Sequence, residues 1–161
     1  MTQVYVSIGS NVDRERHVRA ALAALEKEFG ALRVSPIYET EAVGFKGAAF
    51  YNLVAGFDTD CSVAALSAWL RALEDAHGRV RGDARFSDRT LDVDLLVYGD
   101  ASGMVDGVQL PRDETTRYAF VLKPLVDIDP ALILPGESAD CQTLWQQHPD
   151  VHVRMPVVAL D

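Results

Sequence analysis

The fold is indicated most clearly by the segment Arg79-Val-Arg81-Gly-Asp-Ala-Arg85-Phe86-Ser-Asp88-Arg89-Thr90-Leu91-Asp92-Val93-Asp94-Leu95-Leu96, which contains the last strand of the predicted sheet. Clustered arginines lead here into apolar residues that alternate with aspartates, a period of two that is typical of a strand with one buried face. Leu91, Val93 and Leu95 are therefore expected to face the core. Asp92 and Asp94 are expected to share the opposite face. The strand is predicted over residues 90–98.

Three further strands and two helices are predicted before this segment. Apolar, β-branched runs predict strands over residues 4–8, 32–39 and 50–57. The first helix is expected between a cap at Asp13 and a stop at Gly30, and the second between Ser62 and Gly78. Their apolar faces carry Val18, Leu22, Leu25 and Phe29 in the first helix and Leu66, Trp69, Leu70 and Leu73 in the second. The order β-α-β-β-α-β predicts an α+β, ferredoxin-like antiparallel sheet with both helices on one face and the other face open.

Residues 99–161 are predicted to extend the same domain. This stretch is rich in turns, has breaks at Leu110-Pro111 and Lys123-Pro124, and contains one short helix around residues 141–147. A chain of 161 residues can bury one sizeable core but not two independent ones. Residues 1–161 are therefore predicted to form a single domain.

Composition excludes several classes of function. The formal net charge of −9 and the sequence pI of about 4.8 disfavour a broad nucleic-acid-binding surface. Apolar runs fall short of the roughly 18 residues that a membrane span needs, and the first residues lack a signal-peptide pattern, so a cytoplasmic protein is expected. Cys61 and Cys141 are far apart and are expected to be reduced. The four histidines are scattered, which is typical of surface or packing residues.

The pair Asp92 and Asp94 suggests a metal site. At a rise of about 3.3 Å per residue, their Cα atoms would lie about 7 Å apart on one strand face. Two such carboxylates can hold one hard cation or bridge two cations, and Mg²⁺ favours sites in which substrate phosphates complete its coordination. The alternative is that both aspartates are solvated residues of an exposed sheet face.

The arginines beside this pair suggest a phosphate site. Residues 79–89 hold four of the chain's twelve arginines, against the acidic trend of the whole protein. Guanidinium groups suit phosphate oxygens, although on a solvated loop they could instead pair with Glu74, Asp83 and Asp88. The chain lacks a Walker A sequence, which excludes the usual P-loop scheme.

These motifs together resemble the 6-hydroxymethyl-7,8-dihydropterin pyrophosphokinases of folate biosynthesis. The resemblance covers nearly the whole chain and rests on Tyr5-Val-Ser-Ile-Gly9-Ser10-Asn11, Tyr38-Glu-Thr40-Glu-Ala-Val-Gly44, Phe50-Tyr-Asn52, and Gly78-Arg-Val-Arg81 with Arg89-Thr-Leu-Asp92-Val-Asp94-Leu. It implies transfer of pyrophosphate from ATP to the hydroxymethyl group of a reduced pterin, with release of AMP.

The resemblance also implies roles for the charged residues. Asp92 and Asp94 would bind two Mg²⁺ ions between the ATP phosphates and the attacking hydroxyl. Phosphate contacts and catalysis would involve four arginines, namely Arg79, Arg81, Arg85 and Arg89. Glu74 matches a position of the nucleotide site. Arg112 and Tyr118 stand at nucleotide-site positions where the family usually has His and Arg.

The remaining implied residues form the pterin site. Thr40 and Asn52 match residues that hydrogen-bond the polar edge of the pterin. Phe50 and Phe120 match the pair that sandwiches its ring, and Phe86 replaces a usual Trp. Glu41-Ala42 replaces residues that are often proline, so the loop around the pterin differs from the usual family pattern.

Two other functions are compatible with parts of the sequence. A diverged paralogue could bind nucleotide or pterin without this activity, although the aspartates, Arg81 and Arg89 are all present. A ferredoxin-like RNA-binding module would need exposed aromatic residues in a basic field, which the acidic composition disfavours. The expected ligands are therefore ATP and a reduced pterin, without nucleic acid or membrane, and the expected state is a monomer.

Overall fold

The computed structural model describes residues 1–78 and 88–160. Strands and helices alternate through the first part of this range, and short elements follow. In chain order they are β1 (Thr2–Ser10), α1 (Arg14–Phe29), β2 (Arg33–Val34), β3 (Ile37–Thr40), β4 (Phe50–Thr59), α2 (Val63–Ala76), β5 (Asp92–Tyr98), β6 (Gly103–Val105), β7 (Val108–Leu110), α3 (Glu114–Arg117), α4 (Ala119–Ile128), α5 (Cys141–Gln146) and β8 (Val157–Val158).

The main sheet is antiparallel, with the strand order β5-β1-β4-β3-β8, and β2 pairs with β4 beside β3. β1 lies between β4 and β5, so its residues 4–9 have a neighbour on both sides. Gly9 faces Asn52 on β4 and Asp92 on β5. This register brings residues that are 40 positions apart in the sequence to within two strand spacings of each other, about 10 Å.

The two long helices α1 and α2 pack on one face of the sheet, as predicted. Their buried residues, such as Val18, Leu25, Leu66 and Leu70, share a core with alternate residues of β1, β4 and β5. A polar contact also joins the helices, because the Nδ1 atoms of His17 and His77 lie 2.7 Å apart. The predicted cap at Ser62 is confirmed by its bond from the Ala65 amide, whereas Asp13 makes no side-chain cap.

The second face of the sheet is partly covered, which corrects the prediction that it is open. The helix α4 packs Val121, Leu122 and Leu125 against residues of that face, including Tyr5, Val54 and Leu96. The sequence treated Lys123-Pro124 as a break, yet Pro124 lies inside α4. Proline removes one backbone donor from a helix, but here burial of the apolar face of α4 outweighs that loss.

The predicted second strand is two strands, because the chain departs from the ladder at Ser35 and Pro36. The Ser35 hydroxyl accepts a hydrogen bond from the Val54 amide (2.9 Å), and the Ser35 amide donates to the Val54 carbonyl (3.0 Å). Pro36 has no amide hydrogen to donate. β2 therefore ends before this pair and β3 begins after it.

The C-terminal residues complete the fold around the sheet. β6 and β7 form a hairpin around Asp106-Gly107, both at positive φ, a pair that suits a tight primed turn. The predicted short helix is confirmed as α5, which Asp140 caps. Among the described residues, no helix is long and apolar enough to cross a membrane.

Because α4 covers only one end of the second face, a cavity lies at the other end. It is bordered by Ser7, Gly9, Asn52, Asp92 and Asp94.

Candidate active site

A row of three residues crosses the sheet beside this cavity. Asn52, Gly9 and Asp92 are neighbours on β4, β1 and β5. Gly9 leaves room for its neighbour, because a Cβ atom at this position would lie 2.9 Å from Asn52 Oδ1. The amide of Asn52 and the carboxylate of Asp92 therefore border the same cavity, with no side chain between them.

This first cavity has a volume of about 170 Å³. Its floor is the sheet, and its walls come from residues 40–50 on one side and from α3 and α4 on the other. It is lined by Ser7, Gly9, Thr40, Glu41, Val43, Phe45, Phe50, Asn52, Arg89, Asp92, Asp94, Glu114, Tyr118, Phe120 and Val121. Four of the residues predicted to bind the pterin, Thr40, Phe50, Asn52 and Phe120, are among them.

The polar end of the cavity is formed by Asn52 and Thr40. Asn52 Nδ2 donates a 2.7 Å hydrogen bond to Thr40 Oγ1. The bond leaves the Asn52 carbonyl oxygen as an acceptor and the Thr40 hydroxyl hydrogen as a donor. Together they can hydrogen-bond to the edge of a heterocycle that carries both donors and acceptors.

Aromatic rings form the apolar walls. Phe50 meets Phe45 edge to face, with ring centroids 6.3 Å apart, and Phe120 stacks on Tyr118 at 5.0 Å with an interplanar angle of 14°. Tyr118 was expected at the nucleotide, but it lines the first cavity and extends the Phe120 wall. Contact of Tyr118 with the nucleotide stays a prediction.

Asp92 and Asp94 line the other end of the cavity, and a third carboxylate, that of Glu74, lies beside them. Oxygen atoms of Glu74, Asp92 and Asp94 all lie within 4.8 Å of one another. Glu74 is buried near the end of α2, and its Oε2 accepts a 2.9 Å hydrogen bond from the Val93 amide, which lies between the two aspartates in β5. Glu74 was predicted only as a nucleotide residue, but the structure places it against the aspartate pair.

The aspartate pair is electrostatically strained without a cation. Burial, and then the neighbouring charge of Asp92, raise the pKa of Asp94 to about 8, while Arg112 opposes the shift. Arg112 Nη2 lies 3.9 Å from Asp94 Oδ1, and Arg112 Nε donates to the Leu95 carbonyl. A site that holds acidic oxygens together against their repulsion is suited to a hard cation.

A second cavity of about 310 Å³ follows the outer edge of β5. Arg71 and Arg112 contribute positive charge to its lining, and Glu74, Asp92 and Asp94 contribute carboxylates. Asp92 and Asp94 line the first cavity as well, so the aspartate pair separates a cavity with aromatic residues in its walls from one whose lining includes two arginines.

Arg89 is held beside the first cavity by the end of β1. The Arg89 amide donates to Asn11 Oδ1 (2.7 Å), and the Asn11 amide donates to the Arg89 carbonyl (3.0 Å). The Ser10 hydroxyl donates to the Thr90 carbonyl (2.6 Å). These bonds fix the chain just before β5, so Arg89 is buried and lines the cavity. Four other predicted residues, Arg79, Arg81, Arg85 and Phe86, lie outside the described residues.

The sequence did not identify several residues that line the first cavity. Phe45 comes from the loop before β4, and Glu114 comes from α3. Glu41 and Val43 were noted only as part of the motif around Thr40. Gly9 was noted only as part of the motif after the first strand. A glycine inside a strand often marks a place where side chains of neighbouring strands approach closely. The sequence shows the glycine, but only the strand register shows that its neighbours are Asn52 and Asp92.

Comparison with known proteins identifies the family to which the chain is similar. A model of the family described as 7,8-dihydro-6-hydroxymethylpterin-pyrophosphokinase (HPPK) matches residues 5–130. The chain is 39% identical over 137 residues to 2-amino-4-hydroxy-6-hydroxymethyldihydropteridine pyrophosphokinase of Pseudomonas aeruginosa, covering 83% of this chain and 84% of that protein. It is 30% identical to the protein of the same name from Bacillus subtilis, covering 89% and 90%.

Solved structures support the fold. An HPPK-DHPS in complex with substrates superposes with a TM-score of 0.74 at 12% identity, covering 94% of this chain and 46% of that chain. A Plasmodium falciparum HPPK-DHPS triple mutant gives 0.72 at 14% identity, covering 91% and 41%. The chain thus spans less than half the length of these two larger proteins, and at this identity the likeness concerns the fold alone.

Proposed function

The chain belongs to the 7,8-dihydro-6-hydroxymethylpterin-pyrophosphokinase family, and on this basis we propose that it transfers pyrophosphate from ATP to 6-hydroxymethyl-7,8-dihydropterin. In this reaction the hydroxymethyl oxygen of the pterin forms a bond to the β-phosphorus of ATP. The bond from that phosphorus to the oxygen that bridges to the α-phosphate breaks. AMP leaves, and the proton of the hydroxyl group is released.

The observation that carries this proposal is the position of Asp92 and Asp94 between the two cavities. The first cavity has aromatic walls and a polar end, which suits a flat heterocycle. The second has Arg71 and Arg112 in its lining, which suits a polyphosphate. A ligand in each cavity would bring its reacting end to the aspartates, where proximity makes the transfer effectively unimolecular.

The carboxylate cluster fits Mg²⁺ by its chemistry. Glu74, Asp92 and Asp94 offer hard oxygen atoms within 4.8 Å of one another, and the raised pKa of Asp94 reports a site that gains from a cation. We propose Asp92 and Asp94 as the ligands of two Mg²⁺ ions, and Glu74 as a residue at the nucleotide end of the cluster. Bound Mg²⁺ would neutralise phosphate charge and orient the reacting oxygens.

The other residues receive roles from their positions. Thr40 and Asn52 would bind the polar edge of the pterin, and Phe50 and Phe120 would enclose its ring. Arg89 and Arg112 would contact phosphates from opposite sides of the aspartate pair. The same phosphate role is proposed for Arg79, Arg81 and Arg85, and contact with the pterin for Phe86, on the family resemblance alone.

We also propose the ferredoxin-like class for the fold. What supports it is the strand order β5-β1-β4-β3 with α1 and α2 on one face, if β2 and β3 count as one interrupted strand. A single domain over residues 1–161, a monomeric state, the absence of nucleic-acid and membrane ligands, and a cytoplasmic location remain predictions. Analytical ultracentrifugation would test the monomer.

The nucleotide product tests the proposed activity. Purified protein is incubated with ATP, Mg²⁺ and 6-hydroxymethyl-7,8-dihydropterin, and the nucleotides are separated. AMP in a pterin-dependent amount is expected. ADP would indicate an ordinary kinase, and an unchanged ATP pool would favour a diverged binding protein. Asp92→Asn, which keeps the side-chain shape, serves as the inactive control.

A further inference from the structure

A polar cluster joins the loop before β4 to the chain before β5. We call it the Asn11 cluster, and it consists of Asn11, Gly47, Ala48, Asp88 and Arg89. At its centre, Asn11 Nδ2 donates to Asp88 Oδ1 (2.7 Å) and to the Ala48 carbonyl (3.1 Å), and Asn11 Oδ1 accepts from the Arg89 amide (2.7 Å). Asn11 is 5% exposed, and both the NH₂ group and the carbonyl oxygen of its side chain are hydrogen-bonded.

Asp88 contacts both sides of this cluster. Besides its bond from Asn11, its carboxylate lies directly against the backbone of Gly47, because a Cβ atom added to Gly47 would lie 2.7 Å from Asp88 Oδ1. The same added atom would lie 2.4 Å from the Phe45 ring, which lines the first cavity. Thus Asp88, Gly47 and Phe45 form a continuous contact from the protein surface to the cavity wall.

The three partners of Asn11 all require one orientation of its amide. The Asp88 carboxylate and the Ala48 carbonyl accept hydrogen bonds and cannot donate them, whereas the Arg89 amide donates. Asn11 therefore turns its NH₂ group toward Asp88 and Ala48 and its oxygen toward Arg89. Because the bond to the charged carboxylate is the stronger of the two that the NH₂ group donates, Asp88 helps to hold Asn11, and with it Ala48, in place relative to Arg89.

We propose that Asp88 is a positioning residue for the pterin substrate, acting through Asn11 and Gly47 to hold the loop of Phe45 in place. It contacts neither cavity itself. This role rests on the proposed pyrophosphokinase activity for its kinetic test. Because Asp88 is exposed to solvent, its contribution is moderate.

Steady-state kinetics with each substrate varied separately provide the first test. Asp88→Ala is expected to raise the KM for the pterin about three- to tenfold, as for loss of one charge-assisted hydrogen bond at a partly hydrated site, with the KM for ATP unchanged. Asp88→Asn keeps an acceptor oxygen and should recover most of the loss. Gly47→Ala should raise the pterin KM as Asp88→Ala does. Asp58→Ala, an exposed aspartate of β4, is the matched control.

A double-mutant comparison and hydrogen exchange complete the test. If Asp88 acts in part through Asn11, then Asp88→Ala raises the pterin KM less in the Asn11→Ala background than in the wild type. Amide exchange of residues 44–48 should also be faster in Asp88→Ala than in Asp58→Ala, and this readout needs no turnover. An inactive wild-type protein would therefore overturn the proposed activity alone. Wild-type pterin KM in Asp88→Ala, equal changes in both KM values, or unchanged exchange would overturn the role of Asp88.

Discussion

Asn52 and Thr40 are joined by a 2.7 Å hydrogen bond from the amide of Asn52 to the hydroxyl of Thr40, across the antiparallel pair β4 and β3. The bond fixes the orientation of both side chains at the polar end of the first cavity. It also leaves one acceptor and one donor for a ligand. The edge of a pterin, which carries both, can pair with them.

Removal of this bond should weaken pterin recognition. Thr40→Val keeps the side-chain shape but leaves the Asn52 NH₂ group without this acceptor, at a cost of about 1–3 kcal/mol. We expect kcat/KM for the pterin to fall roughly tenfold or more, with the KM for ATP unchanged. Thr2→Val, at the far end of β1, is the control. Equal losses in Thr40→Val and Thr2→Val would contradict the assigned role.

Asp94→Asn should separate activity from stability. The variant keeps the shape of the side chain, so circular dichroism should match the wild type, but turnover should be lost because the carboxylate pair is broken. At pH 8 and without metal, the variant should melt at a higher temperature than the wild type, because a half-buried charge beside Asp92 is removed. A lower melting temperature, or full activity, would contradict this reading of the site.

Magnesium binding should depend on pH through the same residue. The folded-state pKa of Asp94, about 8, is above its value of 3.8 in the unfolded chain, so the folded protein binds more protons between these values. The contribution of Asp94 to the stability of the metal-free protein therefore falls as pH rises from 4 to 8. A cation must displace the proton, so its affinity rises over the upper part of that range.

Thermal melts with and without Mg²⁺ at pH 6, 7 and 8 measure this effect. The increase in melting temperature caused by a fixed Mg²⁺ concentration should grow with pH in the wild type and disappear in Asp94→Asn. An increase that is the same at all three pH values would show that Asp94 does not release a proton on metal binding.

The contact between His17 and His77 predicts a second, opposite pH dependence. Burial lowers the pKa of both rings, and their shared hydrogen bond requires at least one neutral ring. Below the ordinary pKa of about 6.5 the unfolded chain binds more protons, so this pair loses stability as pH falls. In His77→Gln, the decrease in unfolding free energy between pH 6.5 and 5 should be smaller. An identical decrease would contradict the assignment.

Local patterns predicted the elements that carry the chemistry. The alternation around Asp92 and Asp94 and the two long helices followed from residue periodicity. The single strand predicted over residues 32–39 is interrupted at Ser35. There the Val54 amide donates its hydrogen bond to the Ser35 side chain and not to a backbone carbonyl. Such a contact depends on tertiary pairing, which periodicity does not encode.

The helix α4 was missed for a related reason. Pro124 argues against a helix locally, and only the burial of Leu122 and Leu125 against Tyr5 and Leu96 outweighs it. The sequence also did not show that Tyr118, predicted from the family resemblance as a nucleotide residue, lies directly before α4 and lines the first cavity beside Phe120. The departure from the family residue at Tyr118 was visible in the sequence, but its consequence was not.

The fate of the β-phosphorus tests the central claim most directly. With ATP labelled at the β-phosphorus, the wild-type protein should move the label to the pterin together with the γ-phosphorus, in an amount equal to the AMP formed. Mass analysis of the pterin should find two phosphoryl groups and no singly phosphorylated intermediate. Label that stays in ADP, with one phosphoryl group on the pterin, would contradict pyrophosphoryl transfer at Asp92 and Asp94.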